Sequence, residues 1–303
     1  MPVKPLDEGM HLLCMNETRY VIVTPVRNEA VHLDEHFASV VRQTIRPTEW
    51  IIVDDGSTDE TGAIVVRWAA QHAWIKPLHR SDRGFRYAGA GVIEAFYDGY
   101  YALKTHDWEY LVKLDGDLIL SPDYFERCLK EFASDTQLGI GGGIVCDRED
   151  VPRKFEQGPR FHVRGAVKMY RRACWDTIGG LITSPGWDTV DELKANYLGW
   201  HTRSFTELRV LHCRPTGAVD GTWKNAVKNG QANYVTGYHP LFMFLKCLRR
   251  ALNKPYVIEA LGLFYGFASG YIRRIPRVND SPLIRYIRRQ QLRYLIHLKS
   301  IWN

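Results

Sequence analysis

The first 120 residues alternate between short apolar runs and helical stretches. The apolar runs at 20–24, 50–53 and 110–114 are rich in β-branched and aromatic residues, which predicts buried strands. Helical stretches follow at 32–43, 61–72 and 87–101, and a further strand is expected at 161–170. Strands that alternate with helices through short connections predict a mainly parallel sheet with right-handed crossovers. The pattern therefore indicates an α/β protein.

Polar clusters follow three of these strands: TPVRNE at 24–29, VDDGSTD at 53–59 and LDGD at 114–117. Ligands of parallel sheets bind outside the carboxyl ends of the strands, so the three clusters predict one site. Asp115 and Asp117 at the end of a buried strand are costly unless a cation neutralises them, and Mg²⁺ or Mn²⁺ prefers such oxygen ligands. Gly116 between them allows a tight turn and a close approach of a ligand. The alternative is a solvated Asp-Gly turn.

The three clusters, in this order and at this spacing, resemble those of a family 2 glycosyltransferase over about residues 18–215. The resemblance implies the GT-A fold, a Rossmann-like, mostly parallel nucleotide-binding sheet flanked by helices. It also implies inverting transfer of a sugar from a nucleotide diphosphate sugar, with UDP as the expected nucleotide and Mn²⁺ or Mg²⁺ as cofactor. Processive members carry Gln-x-x-Arg-Trp, which residues 200–240 lack, so transfer of a single sugar is expected.

The resemblance also implies a role for each motif. The residues expected to contact the nucleotide or the donor sugar are Thr24, Pro25, Arg27, Glu29, Asp54, Asp55 and Asp115. A basic segment beside the phosphates is represented by Arg83, Gly84 and Arg86. The expected metal ligand is Asp117, with Asp115 and His212 as further candidates.

An inverting transfer needs one carboxylate that removes the proton of the acceptor hydroxyl. The family places it at the start of a helix that ends in Gly-aromatic, here Gly199-Trp200, and counting back assigns it to Asp188. Trp187 stands where the family has Glu. Asp191 lies one turn further on the same helix face and is the alternate base. The plain alternative is that Asp188 only caps the helix and Asp191 only complements its dipole.

The net charge of +6 is concentrated at the C-terminus, because residues 240–303 contain twelve Lys or Arg and two acidic residues. We therefore expect a catalytic domain at 1–238 and a basic, amphipathic helical extension at 239–303. Apolar stretches at 241–245 and 260–272 next to arginines predict contact with a membrane surface. A homodimer interface or a packed appendage is the alternative. Gly262, Gly266 and Gly270 are spaced by four and predict close helix packing.

The remaining features restrict the class of protein. Six scattered cysteines without a Cys-x-x-Cys pair argue against zinc and for a reducing compartment. Residues 1–10 lack the apolar run of a signal peptide, so we expect a cytoplasmic protein, peripheral at the membrane face. No nucleic-acid-binding module is present, and the expected acceptor is lipid-linked or a polysaccharide precursor. Two other functions stay open: a non-catalytic sugar-nucleotide or lipid-binding protein, and a phosphohydrolase with Asp115 as nucleophile.

Overall fold

An eight-stranded mixed sheet forms the centre of the molecule. The computed structural model describes residues 18–84, 90–147, 159–213, 221–252 and 257–303. The strands are β1 (Tyr20–Val26), β2 (Glu49–Asp54), β3 (Ile75–His79), β4 (Tyr110–Leu114), β5 (Leu118–Ile119), β6 (Leu138–Asp147), β7 (Val167–Arg171) and β8 (His201–His212). Their order across the sheet is β3-β2-β1-β4-β7-β6-β8-β5. The first four are parallel, whereas β7 runs antiparallel to β4 and β6.

Helices cover both faces of the sheet. The helices are α1 (Ala30–Val41), α2 (Thr61–Gln71), α3 (Ala90–Ala102), α4 (Tyr124–Ser134), α5 (Arg172–Ile178), α6 (Trp187–Tyr197), α7 (Gly221–Val235), α8 (Pro240–Ala251), α9 (Val257–Ile272) and α10 (Ser281–Leu295). Successive β1 residues point to opposite faces, so Ile22 packs with α1, α2 and α4 while Val23 packs with α3 and α5. Both faces are buried, which explains why the strands read as unbroken apolar runs.

The predicted strand at 161–170 is wrong in extent, because only Val167–Arg171 belongs to the sheet. The residues before it bond elsewhere: Val163 N donates to Glu192 Oε1 at 2.7 Å, and Phe161 O accepts from Thr202 Oγ1 at 2.7 Å. These bonds replace a strand ladder and hold the segment against α6 and β8. A periodicity argument could not reveal them, since both partners are distant in sequence.

The C-terminal helices share a core with the sheet layer. Val190 and Leu193 of α6 pack in one buried cluster with Phe242 of α8, Phe267 of α9 and Ile287 of α10. The predicted close helix packing is confirmed, because a Cβ at Gly262, Gly266 or Gly270 would overlap α7. α7 lies before the predicted boundary at 238 yet packs mainly on α9, and the boundary stays a prediction. Within the described ranges, no helix has the length and apolarity needed to cross a membrane.

Candidate active site

The first two polar clusters interlock at the carboxyl ends of β1 and β2. Asn28 N donates to Ser57 Oγ at 3.0 Å, and Thr58 N donates to Asn28 Oδ1 at 2.8 Å. Glu29, which is buried, donates its backbone N–H to Thr61 Oγ1 at 2.8 Å. Parallel pairing of β1 with β2 puts both clusters at the same edge, as predicted from the strand order. These hydrogen bonds therefore join the two loops.

Asp55 lies at the centre of a network of charged side chains. Its Oδ1 accepts from Arg80 at 2.6 Å, and its Oδ2 is bound by Arg83. Arg83 also bonds Glu94 at 3.0 Å, and Arg80 bonds Asp98 at 2.8 Å. Glu94 and Asp98 both lie on α3, so the two arginines join that helix to the end of β2. The sequence prediction included Arg83 and missed Arg80, whose only signal was its position directly after β3.

The other residues that were predicted to contact the sugar donor mainly bond to neighbouring parts of the protein. Asp54 Oδ1 accepts from Ser57 N at 2.9 Å, which closes the turn after β2. Thr24 is fully buried and its Oγ1 accepts from Trp50 Nε1 at 2.9 Å. Pro25 pairs in register with β2. Arg27 binds the Asp55 carbonyl and the Asp82 carboxylate, which also accepts from Gly84 N at 2.9 Å. Arg86 lies outside the described residues.

The two carboxylates after β4 have different partners. Asp115 is bound by the buried ammonium of Lys113, and its backbone N donates to Ala166 O at 2.8 Å. Burial raises the pKa of Asp115, and the charge of Lys113 partly offsets that rise. Asp117 is buried, with Oδ2 at 3.1 Å from His212 Nε2. The intervening glycine is needed for packing, because a Cβ there would lie 2.5 Å from Val26 Cγ1 of β1.

The Asp117–His212 pair is the part of this region whose side chains could hold a divalent cation. Pairing of β5 with β8 brings the two residues together, and a carboxylate with an imidazole is a donor set that Mn²⁺ accepts. The described residues contain no cluster of three or more His, Cys, Asp or Glu arranged to hold a metal. Phosphate oxygens of a bound nucleotide commonly supply the remaining ligands of such ions. The residues therefore fit a metal that binds together with the donor.

The start of α6 carries three acidic residues in two different environments. Asp191 and Glu192 are fully buried around Lys168, whose Nζ lies 2.9 Å from Asp191 Oδ2 and 2.7 Å from Glu192 Oε1. Tyr170 OH donates to Asp191 Oδ2 at 2.7 Å. Burial raises the pKa of Asp191 to about 6, although Lys168 and Tyr170 oppose the rise. Asp191 is thus enclosed by the protein interior.

Asp188 is different, because its carboxylate is half-buried and receives no hydrogen bond or ion pair from any residue in the described ranges. It does not cap the helix: the N-cap position is Gly186, and no side chain bonds there. The capping alternative is therefore wrong. A Cβ at Gly165 would lie 3.0 Å from Asp188 Cβ, and the next residue, Ala166, accepts from Asp115 N. Asp188 is therefore connected to the Asp115 segment through two neighbouring backbone positions.

Trp187 lies near two buried lysines. Lys113 and Lys168 are directly opposed in the β4–β7 register, and their ammonium groups lie 5.1 and 5.8 Å from the Trp187 ring. Like charges at opposed positions are destabilising, so each lysine needs its own counter-charge and the ring provides further attraction. Sequence reasoning missed both lysines. The available signal was a lysine inside an otherwise apolar strand, in YLVKL and VKMY.

His162 completes the surroundings of α6. Its Nδ1 lies 2.9 Å from Glu192 Oε2. Burial alone would lower the pKa of His162, but the charge and hydrogen bond of Glu192 raise it above the usual value. His162 was not predicted, and no sequence motif marks it.

These residues lie at the carboxyl edge of an α/β sheet, where such proteins bind their ligands. The model of glycosyl transferase family 2 matches residues 21–185, more than half of the chain. The chain therefore belongs to glycosyl transferase family 2.

Individual relatives are similar to part of this chain only. The chain is 33% identical over 121 residues to the uncharacterized glycosyltransferase EpsJ of Bacillus subtilis, covering 40% of this chain and 32% of EpsJ. It is 31% identical over 120 residues to a chondroitin synthase of Escherichia coli, covering 39% of this chain and 16% of the synthase. The matches thus span a minor part of these relatives.

Solved structures share the fold over most of the chain. A mannosyltransferase of Pyrobaculum calidifontis, in complex with GDP-Man and Mn²⁺, superimposes with a TM-score of 0.54 at 19% identity, covering 89% of this chain and 79% of that one. GalNAc-T7 with UDP, GalNAc and Mn²⁺ gives a TM-score of 0.58 at 14% identity, covering 94% of this chain and 55% of that one. The predicted family and the GT-A fold are confirmed, and a phosphohydrolase is excluded as the class of this domain.

Proposed function

We propose that this chain is an inverting glycosyltransferase that moves one sugar from a nucleotide diphosphate sugar to an acceptor hydroxyl, with Asp188 as the general base. The observation that carries the proposal is that the half-buried Asp188 carboxylate forms no hydrogen bond or ion pair within the described residues. Asp188 also lies next to Gly165, and the following residue, Ala166, accepts from Asp115 N. A base must be accessible to the proton that it removes. Asp188 meets this condition.

Asp191 is the weaker candidate for the base. Its oxygens are held by Lys168 and Tyr170, and its side chain is fully buried. An acceptor would have to displace these contacts before Asp191 took a proton. We therefore assign Asp191 the role of holding Lys168, and through it the first turn of α6, in place.

The proposed reaction is a single displacement. The acceptor hydroxyl oxygen forms a bond to the anomeric carbon while the bond from that carbon to the diphosphate breaks, and Asp188 takes the hydroxyl proton. Nucleotide contacts are proposed for Thr24, Pro25, Arg27, Glu29, Asp54, Asp55, Arg83, Gly84, Arg86 and Asp115. Mn²⁺ or Mg²⁺ held by Asp117 and His212, beside Asp115, would supply positive charge for the departing diphosphate. UDP is the proposed nucleotide.

The proposed acceptor is a lipid-linked saccharide or a polysaccharide precursor at the cytoplasmic face of a membrane. Support comes from the basic C-terminal region, which has twelve Lys or Arg against two acidic residues in 240–303. Anionic lipid attracts such regions at about 1 kcal/mol per basic residue near the surface.

A thermal-shift panel of nucleoside diphosphates with and without Mn²⁺ tests the donor half of this proposal. One nucleotide should stabilise the chain in a metal-dependent way, by about 2.7 kcal/mol at a hundredfold excess over its dissociation constant. Asp117→Ala should abolish this stabilisation, whereas Asp107→Ala at an exposed position should leave it intact. No stabilisation by any nucleotide would count against the whole proposal.

The role of Asp188 as base is tested by measuring how fast the chain releases nucleoside diphosphate from the matching sugar nucleotide. A membrane extract supplies the acceptor. Asp188→Asn should lower this rate by about 10²- to 10⁴-fold without changing the nucleotide-dependent thermal shift. A variant that binds and turns over like the wild type would exclude Asp188 as base. If the wild type binds the nucleotide but turns over no donor, the non-catalytic alternative is correct.

A further inference from the structure

Helices α8 and α9 present a row of large apolar side chains to solvent. Their spacing of three and four residues puts them on one face of each helix. On α8 and its C-cap they are Leu241, Phe244, Leu245, Leu248 and Leu252. On α9 they are Val257, Ile258, Leu261, Phe264, Tyr265, Tyr271 and Ile272. We call these twelve residues the apolar face; it exceeds the scattered exposure that is normal for a soluble protein.

The other side of these helices is fixed to the protein, so the exposure of the apolar face does not result from loose packing. Phe242 and Met243 of α8 and Leu263 and Phe267 of α9 are buried in the C-terminal core. Gly266 lets α9 approach the α7 backbone closely. Helix α9 is therefore apolar on both sides. One side packs on α7, and in the described part of the chain the other is exposed, with Tyr265 and Tyr271 at its margin in contact with Trp223 and Tyr234 of α7. A helix that is apolar all round calls for an apolar environment on each side.

Basic residues stand at the ends of both helices. Arg249 and Arg250 end α8, and the exposed Arg273 and Arg274 follow Ile272 of α9. The apolar face itself contains no acidic residue. Guanidinium groups next to apolar and aromatic side chains match the boundary between lipid headgroups and acyl chains.

The charge balance favours a lipid surface over a second copy of this chain. Only Glu259 and Asp280 are acidic between 240 and 303. Glu259 already bonds Arg250 at 2.5 Å, and Asp280 caps α10 by accepting from Leu283 N at 2.9 Å. Two copies that met through this region would therefore bring many arginines together with few carboxylates to neutralise them. Anionic headgroups would supply the missing negative charge.

We propose that the apolar face lies flat on a bilayer that contains anionic lipid, with its side chains at the acyl boundary and the exposed Arg249, Arg273 and Arg274 among the headgroups. This partner deepens the proposed function, since it would hold the enzyme where a lipid-linked acceptor is presented. The binding itself does not require catalysis. It can therefore be measured independently of the donor.

Flotation of the full chain with lipid vesicles tests the proposal. Vesicles of phosphatidylcholine with about 30% phosphatidylglycerol should bind the chain, and pure phosphatidylcholine should bind it at least about tenfold more weakly. The double variant Leu245→Glu, Phe264→Glu should lower the partition coefficient at least about tenfold. The matched control is Val66→Glu, which charges an exposed apolar residue on α2 and should leave binding unchanged.

A second variant separates charge from apolar contact. Arg273→Gln, Arg274→Gln should weaken binding to the anionic vesicles by about 10- to 30-fold and leave binding to neutral vesicles unchanged. Equal binding of the wild type and Leu245→Glu, Phe264→Glu would overturn the proposal. So would a wild-type dimer in the absence of vesicles that this double variant dissociates, because the occupant would then be a second copy.

The outcomes for this surface and for the donor site are distinguishable. A chain that shows the metal-dependent nucleotide shift but binds no vesicles would contradict only the membrane surface. A chain that binds anionic vesicles but shows no nucleotide shift would contradict only the transferase proposal.

Discussion

Two networks of charged residues flank the candidate site, and they differ in burial. The Asp55 network, with Arg80 and Arg83, lies at the carboxyl end of β2, and its side chains are 12–23% exposed. The Lys168 network, with Asp191 and Glu192, is completely buried beneath Asp188. Solvent screens the first network and not the second, so the same types of residue contribute differently.

The difference in burial distinguishes a part of the site that can rearrange, around Asp55, from a part that cannot, around Lys168. Arginines at the rim can exchange one carboxylate for another anion at low cost, which suits a place where a nucleotide enters and leaves. A fully buried lysine with two carboxylates cannot rearrange without exposing an uncompensated charge. We therefore expect the donor side to adapt and the first turn of α6 to remain rigid. Four variants test this contrast, from the largest expected effect to the smallest.

Lys168→Met should have the largest effect. It leaves the buried carboxylate of Asp191 without its cation and leaves Glu192 with His162 as its side-chain partner, and breaking such a buried group typically costs about 3–5 kcal/mol. Urea unfolding followed by circular dichroism measures the loss. Lys130→Met, which breaks an exposed pair with Glu126, is the control and should cost at most about 0.5 kcal/mol. A loss below about 1 kcal/mol for Lys168→Met would show that water reaches the network.

Tyr170→Phe should have a smaller effect on the same network. It removes one buried hydrogen bond to Asp191, and hydrogen bonds to charged groups contribute about 1.5–3 kcal/mol. The same unfolding measurement applies. Tyr197→Phe at an exposed position of α6 should leave stability unchanged within about 0.5 kcal/mol. Equal effects of the two changes would mean that the Tyr170 hydroxyl does not help to hold Asp191.

His162→Gln should change the pH dependence of stability. Because Glu192 raises the pKa of His162 in the folded state, its contribution is fully present below pH 6.5 and is lost as the pH rises through the folded pKa. The wild type should therefore lose stability relative to His162→Gln as the pH increases above 6.5. Unfolding at a series of pH values measures the difference. His106→Gln, at an exposed histidine, should follow the wild type; a pH-independent difference for His162→Gln would contradict the prediction.

Arg80→Met should have the smallest effect on stability, at most about 1 kcal/mol, because Asp55 keeps Arg83 as a partner and the pair is partly screened. The nucleotide-dependent thermal shift should nevertheless change, since Asp55 is a proposed donor contact. Arg67→Met, which breaks an exposed pair with Asp34, should match its stability and leave the shift unchanged. If the nucleotide-dependent thermal shift is the same in both variants, Asp55 does not contact the donor.

The sequence alone predicted many features of the fold and of the candidate site. The alternation of apolar runs and helical stretches fixed the order of the first strands and helices, because burial on both faces of a parallel sheet demands such runs. The three polar clusters predicted one candidate site because parallel strands bring their carboxyl ends to one edge. The glycines of α9 predicted its close contact with α7, since only a residue without Cβ fits there.

Tertiary structure alone decided which charges meet. Lys113 and Lys168 are 55 positions apart, and only the β4–β7 register pairs them, with both ammonium groups near the Trp187 ring. The sequence offered Asp188 and Asp191 as similar candidates one helical turn apart. The fold buried the Asp191 carboxylate against Lys168, whereas Asp188 accepts from Lys168 only through its backbone carbonyl and its carboxylate forms no ion pair within the described residues. Spacing along a helix fixes which residues share a face, but long-range packing determines which of them water or a substrate can reach.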